Sequence, residues 1–154
     1  MSVALVVAVG ALLTWVLWPE PESEPRAREY RDVTACLLTG ASGVQSPEAA
    51  PIWSGMQDAS VETLVKVQFL EVDGPQTAEN AGTFLASLAQ SRCDTVITVG
   101  DAPVAALQSI APRFPNVRFV GIGGGASLDN VSVVEAGAPD DLRSVIRRLV
   151  TEMA

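Results

Sequence analysis

Beyond residue 31 the chain alternates between short apolar runs and longer stretches with helical spacing. Five runs rich in β-branched and aliphatic residues stand out: Val33–Leu38, Val65–Val72, Thr95–Val99, Val117–Ile122 and Val131–Val134. Each has the length and continuous hydrophobicity of a strand buried on both faces of a parallel sheet. Between them, apolar residues recur every three or four positions. Ile52, Met56 and Ala59 share one face, as do Ala81, Phe84, Leu85 and Leu88. A third helix opens near Asp101, read as its N-cap with Pro103 in the first turn. The last spans Asp140–Met153 and places Leu142, Val145, Ile146, Leu149, Val150 and Met153 together. Its acidic start and its later Arg147 and Arg148 suit the helix dipole.

The predicted order is β-α-β-α-β-α-β-β-α, with one helix-free connection around Gly123–Asn130. Right-handed crossovers turn that order into an α/β fold, a three-layer α/β/α sandwich. Its five-stranded sheet is mainly parallel, with strand order 2-1-3-4-5 and a switch point between the first and third strands.

A different pattern precedes this domain. Ser2–Trp18 carries no charge and reads as an N-terminal hydrophobic helix. Its length lies at the lower end of the roughly 17–25 residues that span a bilayer. Residues 1–18 are expected to be a membrane anchor, preferred over a cleaved signal peptide because no small-x-small cleavage pattern precedes Pro19. No Cys follows for lipid attachment. Residues 19–31, rich in Pro, Glu and Arg, read as a linker, and 32–154 as a single domain. The expected location is the cell membrane, single-pass, with the domain on the extracellular side. Arg26, Arg28 and Arg31 after the span pull against that orientation under the positive-inside rule.

Composition narrows the chemistry. A net charge of −8 leaves no basic footprint for nucleic acid. The absence of histidine removes His-based triads and most zinc sites. No metal site, no cofactor and no enzymatic activity are expected. Cys36 and Cys93 would lie on adjacent strands, offset by three residues, or roughly 10 Å at about 3.3 Å each. That distance exceeds disulfide reach. Two separate buried thiols are therefore expected, with a disulfide as the alternative.

In such sheets ligands bind beyond the carboxyl ends of the strands. Those ends carry Thr39–Gln45, Asp73–Thr77, Gly100–Pro103 and Gly123–Ser127. The candidate ligand-binding residues are Thr39, Ser42, Asp101, Gly124 and Ser127. The Gly121–Gly125 run is read as a tight turn at the sheet edge. No helix with Lys-Ser/Thr follows it, so it is not a phosphate-binding P-loop.

Four stretches are similar to the N-terminal lobe of the basic membrane protein family of solute-binding proteins. They are Trp53-Ser54-Gly55-Met56, "CDTVITVGDAPVAAL", "APRFPNVRFVGIGG" and "DNVSVVEAG". The resemblance implies a type I periplasmic-binding-protein fold, service to an ABC permease, and a nucleoside-like solute. It also marks three departures. Gly40, Glu48 and Ala49 stand where the family places a ribose-binding Asp and a Phe-Asn pair. The expected function is a degenerate single lobe with weak or altered small-molecule binding. The alternative is a protein interaction or self-association module on the same scaffold.

Overall fold

The computed structural model describes residues 29–154. The N-terminal hydrophobic helix and most of the expected linker lie outside the described residues. Nine elements follow one another: β1 (Thr34–Thr39), α1 (Ala50–Thr63), β2 (Lys66–Glu71), α2 (Ala78–Gln90), β3 (Thr95–Thr98), α3 (Asp101–Ile110), β4 (Arg118–Ile122), β5 (Val131–Val134) and α4 (Pro139–Thr151). All four strand pairings are parallel, in the order β2-β1-β3-β4-β5. No helix among the described residues is long and apolar enough to cross a membrane.

Period-two alternation divides the core into two layers. From β1, Cys36 and Leu38 join Leu85, Val96, Leu107 and Phe119 beneath α2 and α3. Ala35 and Leu37 face the other way, toward Ile52, Met56, Ile97, Val120 and Ile146 beneath α1 and α4. Thr77 caps α2, its hydroxyl accepting from the Asn80 N–H at 3.2 Å. Asn130, in the "DNV" stretch, donates through its side-chain amide to the carbonyls of Ala111, Phe114 and Val117 at 3.0–3.1 Å. That Asn ties down the loop leading into β4.

The helix-free link from β4 to β5 is an extended return across the α3 side of the sheet. Ala126 is buried within it, and Leu128 packs partly against the α2–α3 core. The return lies so close to β4 that a Cβ on Gly121 would collide with the Gly124 carbonyl oxygen. Gly123 takes a left-handed φ of 72°, and the close approach joins residues three apart, so the glycine run turns the chain tightly at the end of β4, as expected.

Helices α1 and α4 also meet closely. A Cβ on Gly55 would fall 2.5 Å from the Arg143 carbonyl oxygen. Two ion pairs extend the same contact. Arg143 donates to both Asp58 carboxylate oxygens, at 2.7 and 3.0 Å, and Arg147 pairs with Glu62. Hydrogen bonding and charge from Arg143 hold the Asp58 carboxyl below the usual Asp range.

The cysteines depart from expectation. Their sulfurs are joined as a disulfide, with the Cα atoms 5.9 Å apart. Cys36 does sit level with Val96, three residues beyond Cys93, as the strand ends require. Cys93, however, precedes β3. Arg92 takes a left-handed φ of 62°, so Cys93 comes down from α2 onto β1 instead of extending the strand. Asp94 fixes this turn by accepting from the Thr34 N–H and donating its own N–H to the Thr34 carbonyl. The Gln68 amide lies 3.1 and 3.3 Å from the two sulfurs.

Gly55→Ala should destabilise the domain by about 1–3 kcal/mol through overpacking. A urea titration would show a lower midpoint at unchanged slope. Gly137→Ala, where an added Cβ meets nothing within 4 Å, serves as the control and should change little. Replacing both cysteines by Ser should cost about 2–5 kcal/mol, because a cross-link spanning 57 residues restrains the unfolded chain. Equal thermal stability of the oxidised and Cys-free chains would contradict this.

Candidate functional site

The carboxyl ends of β3, β4 and β5 open into a cleft of about 590 Å³. Val99 and Gly100 after β3, Ile122 and Gly123 at the end of β4, and Ala136 and Gly137 after β5 form its base. The start of α1 closes one wall with Glu48 and Pro51, and α3 another with Asp101, Val104, Ala105 and Gln108. Pro139 and Leu142 at the start of α4 complete it. Its volume lies within the roughly 300–1,000 Å³ of small-molecule pockets.

This position follows from the fold. In a parallel sheet every strand points the same way, so the N-termini of the following helices converge on one edge. Each helix end is settled differently. Ser46 accepts the Ala49 N–H through its hydroxyl at 3.2 Å, just ahead of α1. Gly100 is the N-cap of α3, with φ 97°, so Asp101 occupies the first helical position. The expectation of an Asp101 cap is thereby corrected: its side chain makes no capping hydrogen bond and lines the cleft. Asp140 and Asp141 occupy the first turn of α4.

Of the five candidate residues, Asp101 lines the cleft and the other four do not. Thr39 is 1% exposed, and its hydroxyl donates to the Gly40 carbonyl at 3.1 Å. Ser42 opens the short turn Gly43–Gln45 on the surface. The first corner is instead occupied by Gln76. Its carbonyl oxygen accepts from the Ala41 N–H at 3.2 Å, while its amide nitrogen donates to the carbonyls of Val72 and Gly74. Gly124 lies between two lining residues, and Ser127 is exposed farther along the return segment.

Glu48 and Gln108 also line the cleft and are not among the five candidates. For Glu48 a signal existed in its place two residues before α1, the helix nearest the switch point. Both carboxylates, Glu48 and Asp101, are exposed, and the apolar surface comes from Val104, Ile122, Ala126 and Leu142. No Lys, Arg or aromatic side chain among the described residues lines the cleft. Among the described residues no three acidic or Cys side chains gather to hold a metal ion. The resemblance-bearing Trp53 lies away from the cleft and packs edge-on against Phe69, with ring centroids 5.1 Å apart.

The chain matches no protein-family model and no curated protein sequence. Solved structures do match it. A Peptoclostridium difficile 630 fragment described as a lipoprotein superposes with a TM-score of 0.66 at 13% identity, over 79% of this chain and 99% of that one. An ABC transporter solute-binding protein from Aeropyrum pernix K1 gives 0.55 at 24% identity, over 66% of this chain and 28% of that one. A 5-methylthioribose transporter solute-binding protein from Thermotoga lettingae TMO gives 0.53 at 14% identity, over 79% and 47%. The chain thus spans less than half the length of either solute-binding protein. The likeness is one of fold: the described residues share an α/β arrangement around a parallel five-stranded sheet with these proteins.

Proposed function

We propose that this chain is a membrane-tethered, extracytoplasmic solute-binding lobe that takes a small molecule in the cleft beyond β3, β4 and β5. The observation that carries the reading is the cleft itself. It combines ligand-sized volume, apolar walls and a few polar groups at the edge where open parallel sheets bind ligands. The likeness to solute-binding lobes supports the same role, and an ABC permease is the partner that role implies. No catalytic step is assigned.

Within that reading the chain is a diverged relative of the basic membrane protein family. Gly40, Glu48 and Ala49 replace the residues that would read a nucleoside, and Gln76 fills the first corner. The Cys36–Cys93 disulfide supports placement outside the cytoplasm, since such bonds persist in oxidising compartments.

A thermal-shift screen of the chain against nucleosides and other small metabolites tests the binding role. A saturating ligand at 100-fold its Kd should stabilise the fold by about 2.7 kcal/mol. Asp101→Ala should abolish that shift. Absence of any shift, together with concentration-dependent self-association, would replace this reading with an interaction module. Alkylation of intact cells followed by denaturation should find both thiols blocked as disulfide before reduction and both reactive after it. Free thiols in the unreduced chain would place the domain in the cytoplasm.

A further inference from the structure

The cleft's side chains bear on which class of solute it holds. Its charged lining consists of two carboxylates, Glu48 and Asp101. Both accept hydrogen bonds and neither donates one when ionised. The Gln108 amide adds an acceptor and two donors. The remaining surface offers aliphatic contact through Val104, Ile122 and Leu142.

One feature opposes a positive ligand. Three helices begin at the cleft, and helix N-termini attract anions. Each N-terminus is equivalent to about half a positive charge, about one and a half in all. Glu48 and Asp101 oppose it from the lining, and Asp140 and Asp141 oppose it from the first turn of α4. Four carboxylates therefore outweigh the three dipoles. The chain's net charge of −8 acts in the same direction by concentrating cations near its surface.

We infer that the cleft selects a protonated amine carrying an aliphatic body, and rejects anions such as phosphates and carboxylates. The ammonium group donates to Glu48 and Asp101, while the aliphatic part lies on Val104, Ile122 and Leu142. With no aromatic side chain in the lining, recognition proceeds through N–H donation to carboxylates. A cation–π cage of the kind that holds quaternary ammonium groups is not formed by the described residues. This inference rests on the cleft being a solute site, and its test separates the two claims.

The full chain is titrated with three probes of one length, hexylammonium, hexan-1-ol and hexanoate, at constant ionic strength. Thermal shift and amide chemical shifts of cleft glycines such as Gly100 and Gly123 are followed together. Hexylammonium should bind saturably and perturb those glycines. Hexan-1-ol should bind about tenfold more weakly or worse, and hexanoate should not bind. Glu48→Gln and Asp101→Asn should each weaken hexylammonium about tenfold or more, as expected for loss of a charge-assisted hydrogen bond. Both side chains are exposed, so the unliganded melting temperature should stay close to that of the parent.

Hexanoate or hexan-1-ol binding as tightly as the amine would overturn the selectivity and leave the solute site intact. Unchanged amine affinity in both variants would do the same. A nucleoside that binds where none of the three probes does would also defeat the selectivity alone. Failure of every probe and every compound in the wider screen would remove the solute-site reading along with it.

Discussion

Burying β1, β3 and β4 on both faces is the constraint from which the rest of the structure follows. The interior of a strand so placed offers no side chain to solvent, and Ala35, Cys36, Leu37 and Leu38 are fully buried in succession. Polar function must therefore move to the strand ends. Parallel direction then gathers the starts of α1, α3 and α4 at one edge, and the cleft forms there. The opposite faces of the sheet are committed to packing beneath two pairs of helices.

Close packing of that kind explains residues that carry no ligand role. Gly55 lets α1 approach the α4 backbone, and the flanking Asp58–Arg143 and Glu62–Arg147 pairs hold the helices in the same register. Gly121 lets the chain fold back closely on itself at the end of β4. The Cys36–Cys93 bond joins the end of α2 to β1 on the opposite layer from Gly55. The Gly55 contact and the disulfide connect parts of the chain that are remote in sequence, and each depends on a small side chain or a covalent link at one position.

The candidate site was only partly legible. Strand ends are legible from where each apolar run stops, and the cleft lies at the edge those ends define. Asp101 reaches it because it lies just beyond the end of β3. Thr39 and Ser42 follow β1 in the same way, yet Gln76, from the loop after β2, occupies their corner. A competitor 35 residues away leaves no local trace. Glu48 stands where the resembling family has an aromatic residue, and its place ahead of α1 directs it to the cleft.

The sequence by itself determined the layer architecture, because the two-residue and 3.6-residue periods report directly which positions face a core. It determined the strand order as well, since right-handed crossovers leave few alternatives once the elements are known. Tertiary structure decided the cysteine pairing. The strand register was as expected, but Cys93 lies in a turn whose left-handed Arg92 brings its Cα to 5.9 Å from that of Cys36. Tertiary structure also decided which polar residues face the cleft. Side chains at a strand end can turn toward the ligand edge or be taken up by a neighbouring loop. That choice depends on contacts between segments far apart along the chain.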